Sequence, residues 1–192
     1  MKTWMNKKNR DDGFFLVCLL VFFIGLIVDL ATKAAAEFLI PEHSLISFIP
    51  GFMNWTLEYN DGVAFGSLSD NPVLMNVITW LTLPLVIAMI VVVFFLPKQF
   101  NVHRFFIALV ASGAIGNFLD RVFIAKGVRD FMDISSIHFG ICNVADYFIT
   151  IGGVLLILSI LFVGDDAIFP LIGKSKKTEK QATEEQENNK NS

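Results

Sequence analysis

Residues 14–28 read FFLVCLLVFFIGLIV, an uninterrupted apolar run that continues through Asp29 to about Ala36. A helix needs about 20 predominantly apolar residues to cross about 30 Å of hydrocarbon. Four such blocks occur along the chain, at about residues 14–36, 73–96, 105–123 and 141–163. The sequence therefore predicts an α-helical polytopic membrane protein with four transmembrane helices.

The composition of the 192-residue chain supports this fold class. Hydrophobic residues make up 54% of it, charged residues only 17%, and the mean hydropathy is +0.61. Soluble domains usually carry about 25% charged residues, so we exclude a soluble globule, a nucleic-acid-binding protein and a disordered chain. We expect one membrane-embedded domain over residues 1–165. Residues 166–192 are rich in Lys, Glu, Gln and Asn and are predicted to be a disordered cytoplasmic tail.

The distribution of basic residues predicts the orientation. Of the 15 Lys and Arg residues, 11 precede the first block, lie between the second and third, or follow the fourth. The positive-inside rule then places both termini in the cytoplasm. A cleavable secretory signal is the alternative for the first block, because its basic start, apolar run and residues 34–36 (Ala-Ala-Ala) resemble one. Asp29 and Lys33 would be out of place in such a signal, so we favour a transmembrane helix.

A short sheet is predicted in the first outer segment, residues 37–71. Between Asn54 and Asn60, the apolar residues Trp55, Leu57 and Tyr59 alternate with polar ones, which predicts a strand with one apolar face. The sequence Asn-Asp-Gly at residues 60–62 then predicts a turn. Since Trp and Tyr rings prefer the headgroup level of a bilayer, we expect this segment to lie on the outer leaflet.

Polar and ionisable residues recur near the outer ends of the predicted helices, although such residues within a span cost about 2.5–3.5 kcal/mol each on insertion scales. Three groups share a helix face by their spacing: Asp29 with Lys33, Asn117 with Asp120 and Arg121, and Asn143 with Asp146. Because the groups converge at one depth, we interpret them as one site, together with Asp130 from the short outer segment 125–140. In that segment we interpret Asp133 as a solvated loop acid and His138 as a surface residue.

Paired carboxylates have a chemical use that fits this site. Two carboxyl groups about 3 Å apart cannot both ionise comfortably, so they share one proton. The ionised group can take a proton from water while the neutral group donates to a substrate carbonyl, which hydrolyses an amide without a metal or cofactor. The chain has no His-Glu-x-x-His, Gly-x-Ser-x-Gly or phosphate-binding glycine loop. These considerations leave open whether Asp120 or Asp130 is the partner of Asp146.

Five short blocks follow one another from the first predicted helix to the fourth. They are Asp29-Leu-Ala-Thr-Lys33, Asn60-Asp-Gly62-Val-Ala64-Phe65-Gly66, Gly113-Ala-Ile-Gly116-Asn117-Phe-Leu-Asp120-Arg121, Val128-Arg-Asp130-Phe131 and Asn143-Val-Ala145-Asp146. In this order they resemble the signature blocks of the bacterial lipoprotein signal peptidases (signal peptidase II). The resemblance covers about residues 14–165, and five blocks in sequence make it specific.

The resemblance implies an intramembrane aspartic endopeptidase of the bacterial inner membrane, with a small periplasmic β-cradle and both termini cytoplasmic. It implies substrates that are diacylglyceryl-modified prolipoproteins, cut just before the lipidated Cys. It assigns the catalytic acids to Asp130 and Asp146. The other matched residues are expected to bind substrate or to order the site: Asp29, Lys33, Asn60, Gly62, Asn117, Asp120, Arg121 and Asn143. We expect no cofactor or metal, a monomer, and contact with membrane lipids.

Three positions depart from the family pattern: Ser112, Arg129 and Cys142. Arg129 matters most, because a cation beside Asp130 favours the ionised acid; we expect its side chain to point to lipid headgroups. Cys18 lies in the middle of the first predicted helix and Cys142 near the opposite face, so we expect no disulfide. A small proton- or ion-coupled transporter and a non-catalytic assembly protein are the alternative functions. The gathering of acids at one depth and the lack of an inverted repeat argue against the transporter.

Overall fold

The computed structural model describes residues 11–62, 71–134 and 140–163. Those ranges contain four long helices, each long and apolar enough to cross a membrane. They are α1 (Asp12–Leu39), α2 (Pro72–Phe95), α3 (Asn101–Phe123, preceded by a 3-10 turn at Lys98–Phe100) and α4 (Val144–Phe162). The predicted four-helix architecture is therefore confirmed. The predicted disordered tail and His138 lie outside the described residues.

Local sequence explains where the helices begin. The Asp11 carboxylate accepts a 2.9 Å hydrogen bond from the N–H of Phe14 and caps α1, and Asn71 caps α2 in the same way. These bonds satisfy donors that the first turn of a helix leaves unpaired. Helix α4 starts at Val144, later than the predicted residue 141, because Asn143 is its N-cap.

A four-stranded antiparallel sheet covers one end of the bundle. Its strands are β1 (Ile46–Ile49), β2 (Met53–Asn60), β3 (Val128–Asp133) and β4 (Ile141–Cys142), in the spatial order β1-β2-β3-β4. The strand predicted between Asn54 and Asn60 is β2, whereas β3 was not predicted. The pairing of β2 with β3 joins the two segments that separate the helices at this end.

The prediction of one apolar face on β2 is only partly correct. The register between β2 and β3 shifts between Trp55 and Glu58, and a register shift of this kind breaks strict alternation. As a result the consecutive residues Thr56 and Leu57 are both buried, at 1% and 3% exposure.

Helix α3 is the centre of the bundle. Helices α1, α2 and α4 all pack extensively against it, whereas α1 and α2 contact each other little. Two glycines of α3 permit close approach: a Cβ at Gly113 would meet the backbone carbonyl of Ala145 in α4, and one at Gly116 would meet the Asp29 carboxylate. Small residues serve this purpose at transmembrane interfaces. We call the end where α1 and α3 finish the sheet end, and the opposite one the hairpin end.

Arg104 holds three helices together at the hairpin end. It is fully buried, and its Nε donates to the carbonyl of Val93 at 2.8 Å. Its Nη2 donates to the carbonyl of Asp11 at 3.1 Å, and its guanidinium lies 5.6 Å from the centroid of the Phe14 ring. By sequence alone, Arg104 is indistinguishable from a solvated charge between two helices.

Candidate active site

A buried ion cluster joins α1 and α3 beneath the sheet. The ammonium of Lys33 lies 2.9 Å from Asp29 Oδ2 and 3.4 Å from Asp120 Oδ2, and all three side chains are at most 1% exposed. Two carboxylates therefore share one cation, which compensates charges that would otherwise be costly to bury. The predicted pairing of Asp29 with Lys33 on one face of α1 is present.

Asp29 also fastens the start of α4. Its Oδ1 accepts a 2.8 Å hydrogen bond from the backbone N–H of Ala145, in the first turn of that helix. Backbone donors at a helix start have no partner within the helix. The Asp29 carboxylate of α1 therefore supplies a hydrogen-bond acceptor for the first turn of α4. The absence of a side chain at Gly116 leaves room for this carboxylate.

Asn143 and Asp146 form a reciprocal capping box at the start of α4. The Asp146 N–H donates to Asn143 Oδ1 at 3.1 Å, and the Asn143 N–H donates to Asp146 Oδ2 at 3.0 Å. Asp146 thus has a fixed position in the first helical turn, where the peptide dipoles stabilise negative charge.

Asn117 lies between the ion cluster and Asp146. Its Oδ1 accepts from the Lys33 ammonium at 2.9 Å and from the Asn143 amide at 3.1 Å. Its Nδ2 donates to Asp146 Oδ1 at 2.9 Å. Because the Lys33 and Asn143 donors occupy the oxygen, the Asn117 nitrogen faces Asp146.

Asp130 reaches the same place from strand β3. Asn143 Nδ2 donates to Asp130 Oδ1 at 2.6 Å, and Asn60 Nδ2 donates to Asp130 Oδ2 at 3.0 Å. Asn143 therefore contacts both Asp130 and Asp146. Burial, and next the negative charge of Asp146, raise the pKa of Asp130 to about 7, against the opposing effect of the two amide hydrogen bonds.

Asp120, the other candidate partner of Asp146, has surroundings that differ from those of Asp130. Its carboxylate accepts from the Arg129 backbone N–H at 3.1 Å and from Arg129 Nη2 at 2.6 Å, in addition to its contact with Lys33. Two cations hold Asp120, whereas amides hold Asp130 and Asp146. Asp130 and Asp146 therefore both contact Asn143, whereas Asp120 belongs to the ion cluster.

The expectation that Arg129 points to lipid headgroups is wrong. Its side chain is 9% exposed and pairs with Asp120 and, at 2.9 Å, with Glu37 of α1. Successive side chains of a strand point to opposite faces, so Arg129 and its neighbour Asp130 project to different sides of β3. The Arg129 charge is neutralised there by two carboxylates.

The interpretation of Asp133 as a solvated loop acid is also wrong. Asp133 is in β3, is 7% exposed, and accepts a 3.1 Å hydrogen bond from the Asn54 amide across the β2–β3 pair. Its carboxylate is on a different part of the strand from the candidate site.

Gly62 and Arg121 complete the edge of the site. The Gly62 N–H donates to Asn60 Oδ1 at 2.9 Å, which aims the Asn60 nitrogen at Asp130. The Gly62 carbonyl in turn accepts from Arg121 Nη2 at 3.0 Å. The predicted turn is therefore part of the site, and α3 holds it in place.

Glu37 is the site residue that sequence reasoning missed. It accepts from Arg129 and, at 3.0 Å, from the Tyr59 hydroxyl of β2. The signal was available, because Asp29, Lys33 and Glu37 follow one another at intervals of four residues and so lie on one face of α1.

The described residues include neither a cluster of metal ligands nor an exposed cysteine thiol. No group of three or more His, Cys, Asp or Glu side chains there could hold a metal ion. Cys18 and Cys142 are both free and buried. Burial, with a smaller effect from the charge of Asp146, raises the pKa of Cys142 to about 12, so its thiol stays protonated at neutral pH.

Comparisons with known proteins are consistent with one another. A family model described as signal peptidase (SPase) II matches residues 21–162. The lipoprotein signal peptidase of Pelagibacter ubique (strain HTCC1062) is 40% identical over 162 residues, which cover 82% of this chain and 94% of that protein. The lipoprotein signal peptidase of Sulfurihydrogenibium sp. (strain YO3AOP1) is 34% identical over 158 residues, which cover 80% of this chain and 92% of that protein. A solved structure described as a bacterial membrane enzyme, determined by the in meso method at 2.3 Å, matches with a TM-score of 0.66 and 31% sequence identity. The match covers 76% of this chain and 87% of that chain.

Proposed function

The chain belongs to the signal peptidase II family, and from this premise we propose that it is an aspartic endopeptidase that cleaves prolipoproteins just before a diacylglyceryl-modified Cys. The observation that carries the aspartic mechanism is the position of Asn143. Its amide donates to Asp130 while its backbone N–H donates to Asp146, so one residue contacts both acids.

The proposed reaction needs one proton on the two acids together. The Asp146 carboxylate takes a proton from a water molecule, whose oxygen attacks the carbonyl carbon of the scissile bond. Protonated Asp130 donates to the carbonyl oxygen as negative charge develops there. When the C–N bond breaks, the departing Cys nitrogen receives a proton from the pair.

The two roles follow from the different surroundings of the acids. Asp146 lies at a helix start, where negative charge is stabilised. Asp130 is 3% exposed, and its pKa of about 7 keeps it protonated over the acidic side of neutrality. Two carboxyl groups with such different surroundings can divide the roles of acid and base between them.

Cleavage of a purified substrate tests the proposal. The protein in proteoliposomes should cut a diacylglyceryl-modified prolipoprotein before its Cys and leave the unmodified precursor intact. Chelators, serine reagents and thiol alkylators should leave the rate nearly unchanged, because the proposed chemistry uses water and two carboxyl groups. Ion-coupled transport without cleavage would favour the transporter, and binding of the lipidated substrate without either would favour an assembly protein.

The activity should fall as the pH rises through about 7. Above the pKa of Asp130 the pair loses the proton that the reaction needs, and kcat/KM reports the free enzyme, so it should then decrease roughly tenfold per pH unit. The measurement is a pH profile of kcat/KM between pH 5.5 and 9. Intrinsic fluorescence at each pH serves as the control for unfolding, and a rate that keeps rising from pH 7 to 9 would contradict the assignment.

We further propose that the sheet end faces the periplasm of a bacterial inner membrane and that the protein acts as a monomer. The 11 basic residues that precede the first apolar block, lie between the second and third, or follow the fourth support this orientation. Reporter fusions after Asn101 and Lys174 should report cytoplasm, and fusions after Ser69 and Ile137 should report periplasm. Opposite locations for the two termini would refute it.

A further inference from the structure

Glu58 lies beside the candidate catalytic acids, although the proposed reaction does not use it. In the pairing of β2 with β3, Glu58 is directly opposite Asp130. Directly opposite residues of an antiparallel pair share one face of the sheet, and their Cα atoms are about 4.5–5.5 Å apart. A peptide that reaches Asp130 therefore passes within one or two residues of Glu58.

Neighbouring contacts establish the face to which Glu58 projects. Asn60, two residues further along β2, donates to Asp130 at 3.0 Å, so the candidate site lies on the face of Asn60. Tyr59, the residue between them, instead donates to Glu37 of α1 at 3.0 Å. The register with β3 is regular from Glu58 to Asn60, and side chains alternate along a strand. Glu58 therefore projects to the face that carries Asp130.

The Glu58 carboxylate has an exposed partner that a ligand can replace. His43 Nδ1 lies 2.9 Å from a Glu58 carboxylate oxygen, and the side chains of His43 and Glu58 are 70% and 33% exposed. The backbone N–H of His43 donates to the Leu57 carbonyl at 3.1 Å, in the segment that leads into β1. Strand β1 pairs with the edge of β2 that is remote from β3, so a peptide at Asp130 approaches Glu58 from the other side. Exposed ion pairs contribute little to stability, and His43 therefore leaves Glu58 available to a cation on that peptide.

The exposure of Glu58 indicates which part of a prolipoprotein it meets. The acyl chains and the apolar signal peptide remain in the bilayer, whereas the chain that follows the lipidated Cys leaves toward water. An extended peptide advances by about 3.3 Å per residue. The first two residues after the cleavage point are therefore within reach of a half-exposed carboxylate opposite Asp130.

We propose that Glu58 selects substrates by the charge of the first two residues after the lipidated Cys, and that it favours Lys or Arg there over Asp or Glu. This inference rests on the proposed function, because it takes Asp130 to be at the cleavage point. The Glu58 carboxylate attracts basic side chains and repels acidic ones. Charge complementarity at the edge of a site contributes to specificity more than to overall affinity.

The test compares three lipidated substrates that carry Lys, Gln or Asp at the two positions after the Cys and are otherwise identical. Vesicles of phosphatidylcholine alone are used, so that the bilayer has no net charge and adds no preference. Wild-type protein should favour the Lys substrate over the Asp substrate by roughly 2–5-fold in kcat/KM, as exposed ion pairs do. Glu58→Gln should bring this ratio to about unity, and Glu58→Lys should invert it. The Gln substrate normalises the rate of each variant, and an unchanged ratio in both variants would overturn the proposal.

His43→Asn should change the ratio in the opposite direction to Glu58→Gln, because it uncovers the carboxylate and strengthens the preference for Lys. Asn suits this position because residue 43 has a φ of 61°, which Asn adopts more readily than most residues. If the His43–Glu58 pair only held its segment against β2, both variants would break the same contact. Changes of the ratio in the same direction would therefore overturn the proposal.

Glu42→Gln is the matched control for the total charge of this surface. Glu42 is an exposed acid that pairs with Lys126 and does not belong to β2. This variant should keep the wild-type ratio, and a loss equal to that of Glu58→Gln would overturn the assignment to Glu58.

Binding separates failure of this proposal from failure of the proposed function. The affinities of the Asp146→Asn variant for the Lys and Asp substrates measure the preference without turnover. Equal affinities there, together with equal rates of the wild type on both substrates, would overturn the role of Glu58. A wild type that binds with the preference but cleaves no substrate would refute only the proposed function.

Discussion

Asp130→Asn and Asp146→Asn should each abolish cleavage of lipidated substrate while the protein still folds and inserts. Asn preserves the shape of each side chain but can neither hold nor transfer the shared proton. General acid or base catalysis alone contributes about 10²–10⁴-fold, so each kcat should fall by at least about 100-fold. The measurement is single-turnover cleavage in proteoliposomes with purified variants.

Asp133→Asn is the matched control for this pair of variants. Asp133 is a buried carboxyl of the same strand, but it pairs with Asn54 across the sheet. It should keep the rate within about tenfold of wild type, and Asp120→Asn should retain measurable activity because Asp120 binds cations instead of facing Asp146. Near-normal turnover by either Asp130→Asn or Asp146→Asn would rule out the proposed pair, and complete inactivity of Asp120→Asn would reopen the choice of partner.

Lys33→Met should cause the largest loss of stability. It removes the cation between Asp29 and Asp120, both at most 1% exposed. Removing one member of a buried ionic group typically costs about 3–5 kcal/mol, because a buried charge is left uncompensated. The free energy of unfolding in mixed micelles should decrease by about that amount.

Two comparisons make this result specific to the buried cluster. Lys126→Met removes an exposed cation that pairs with Glu42 and should change stability little, because surface ion pairs contribute little. Lys33→Met combined with Asp29→Asn should recover part of the loss, since one of the two carboxylates becomes neutral while its bond from Ala145 can remain. Equal effects of Lys33→Met and Lys126→Met would show that burial of the cluster is unimportant.

The helices were predictable and one essential strand was not. Apolar blocks of membrane length identify spans without reference to packing, and alternation identified β2. Strand β3 is buried at all six positions, so it has no solvent face and its sequence shows no period of two. Its charged residues Arg129, Asp130 and Asp133 are paired within the protein, with partners that only the tertiary structure reveals.

Which residues form the candidate site could also be predicted only in part. Ionisable residues at helical spacing identified Asp29, Lys33 and Asp146, because few other roles tolerate charge at that depth. The residue types could not distinguish Asp120 from Asp130. That distinction depends on Arg129 and Asn143, whose hydrogen bonds come from elements far apart in sequence.

The central place of α3 has a consequence for how the chain is made. Helices enter the membrane in order of synthesis, and α1 and α2 contact each other little. The carbonyl oxygens of Asp11 and Val93 also accept hydrogen bonds from Arg104, which belongs to α3. Apart from contacts such as that between the Phe15 and Phe94 rings, the first two helices therefore lack most of their native contacts until the third is synthesised, so we expect most of the packing of the bundle to form only after α3 enters the membrane.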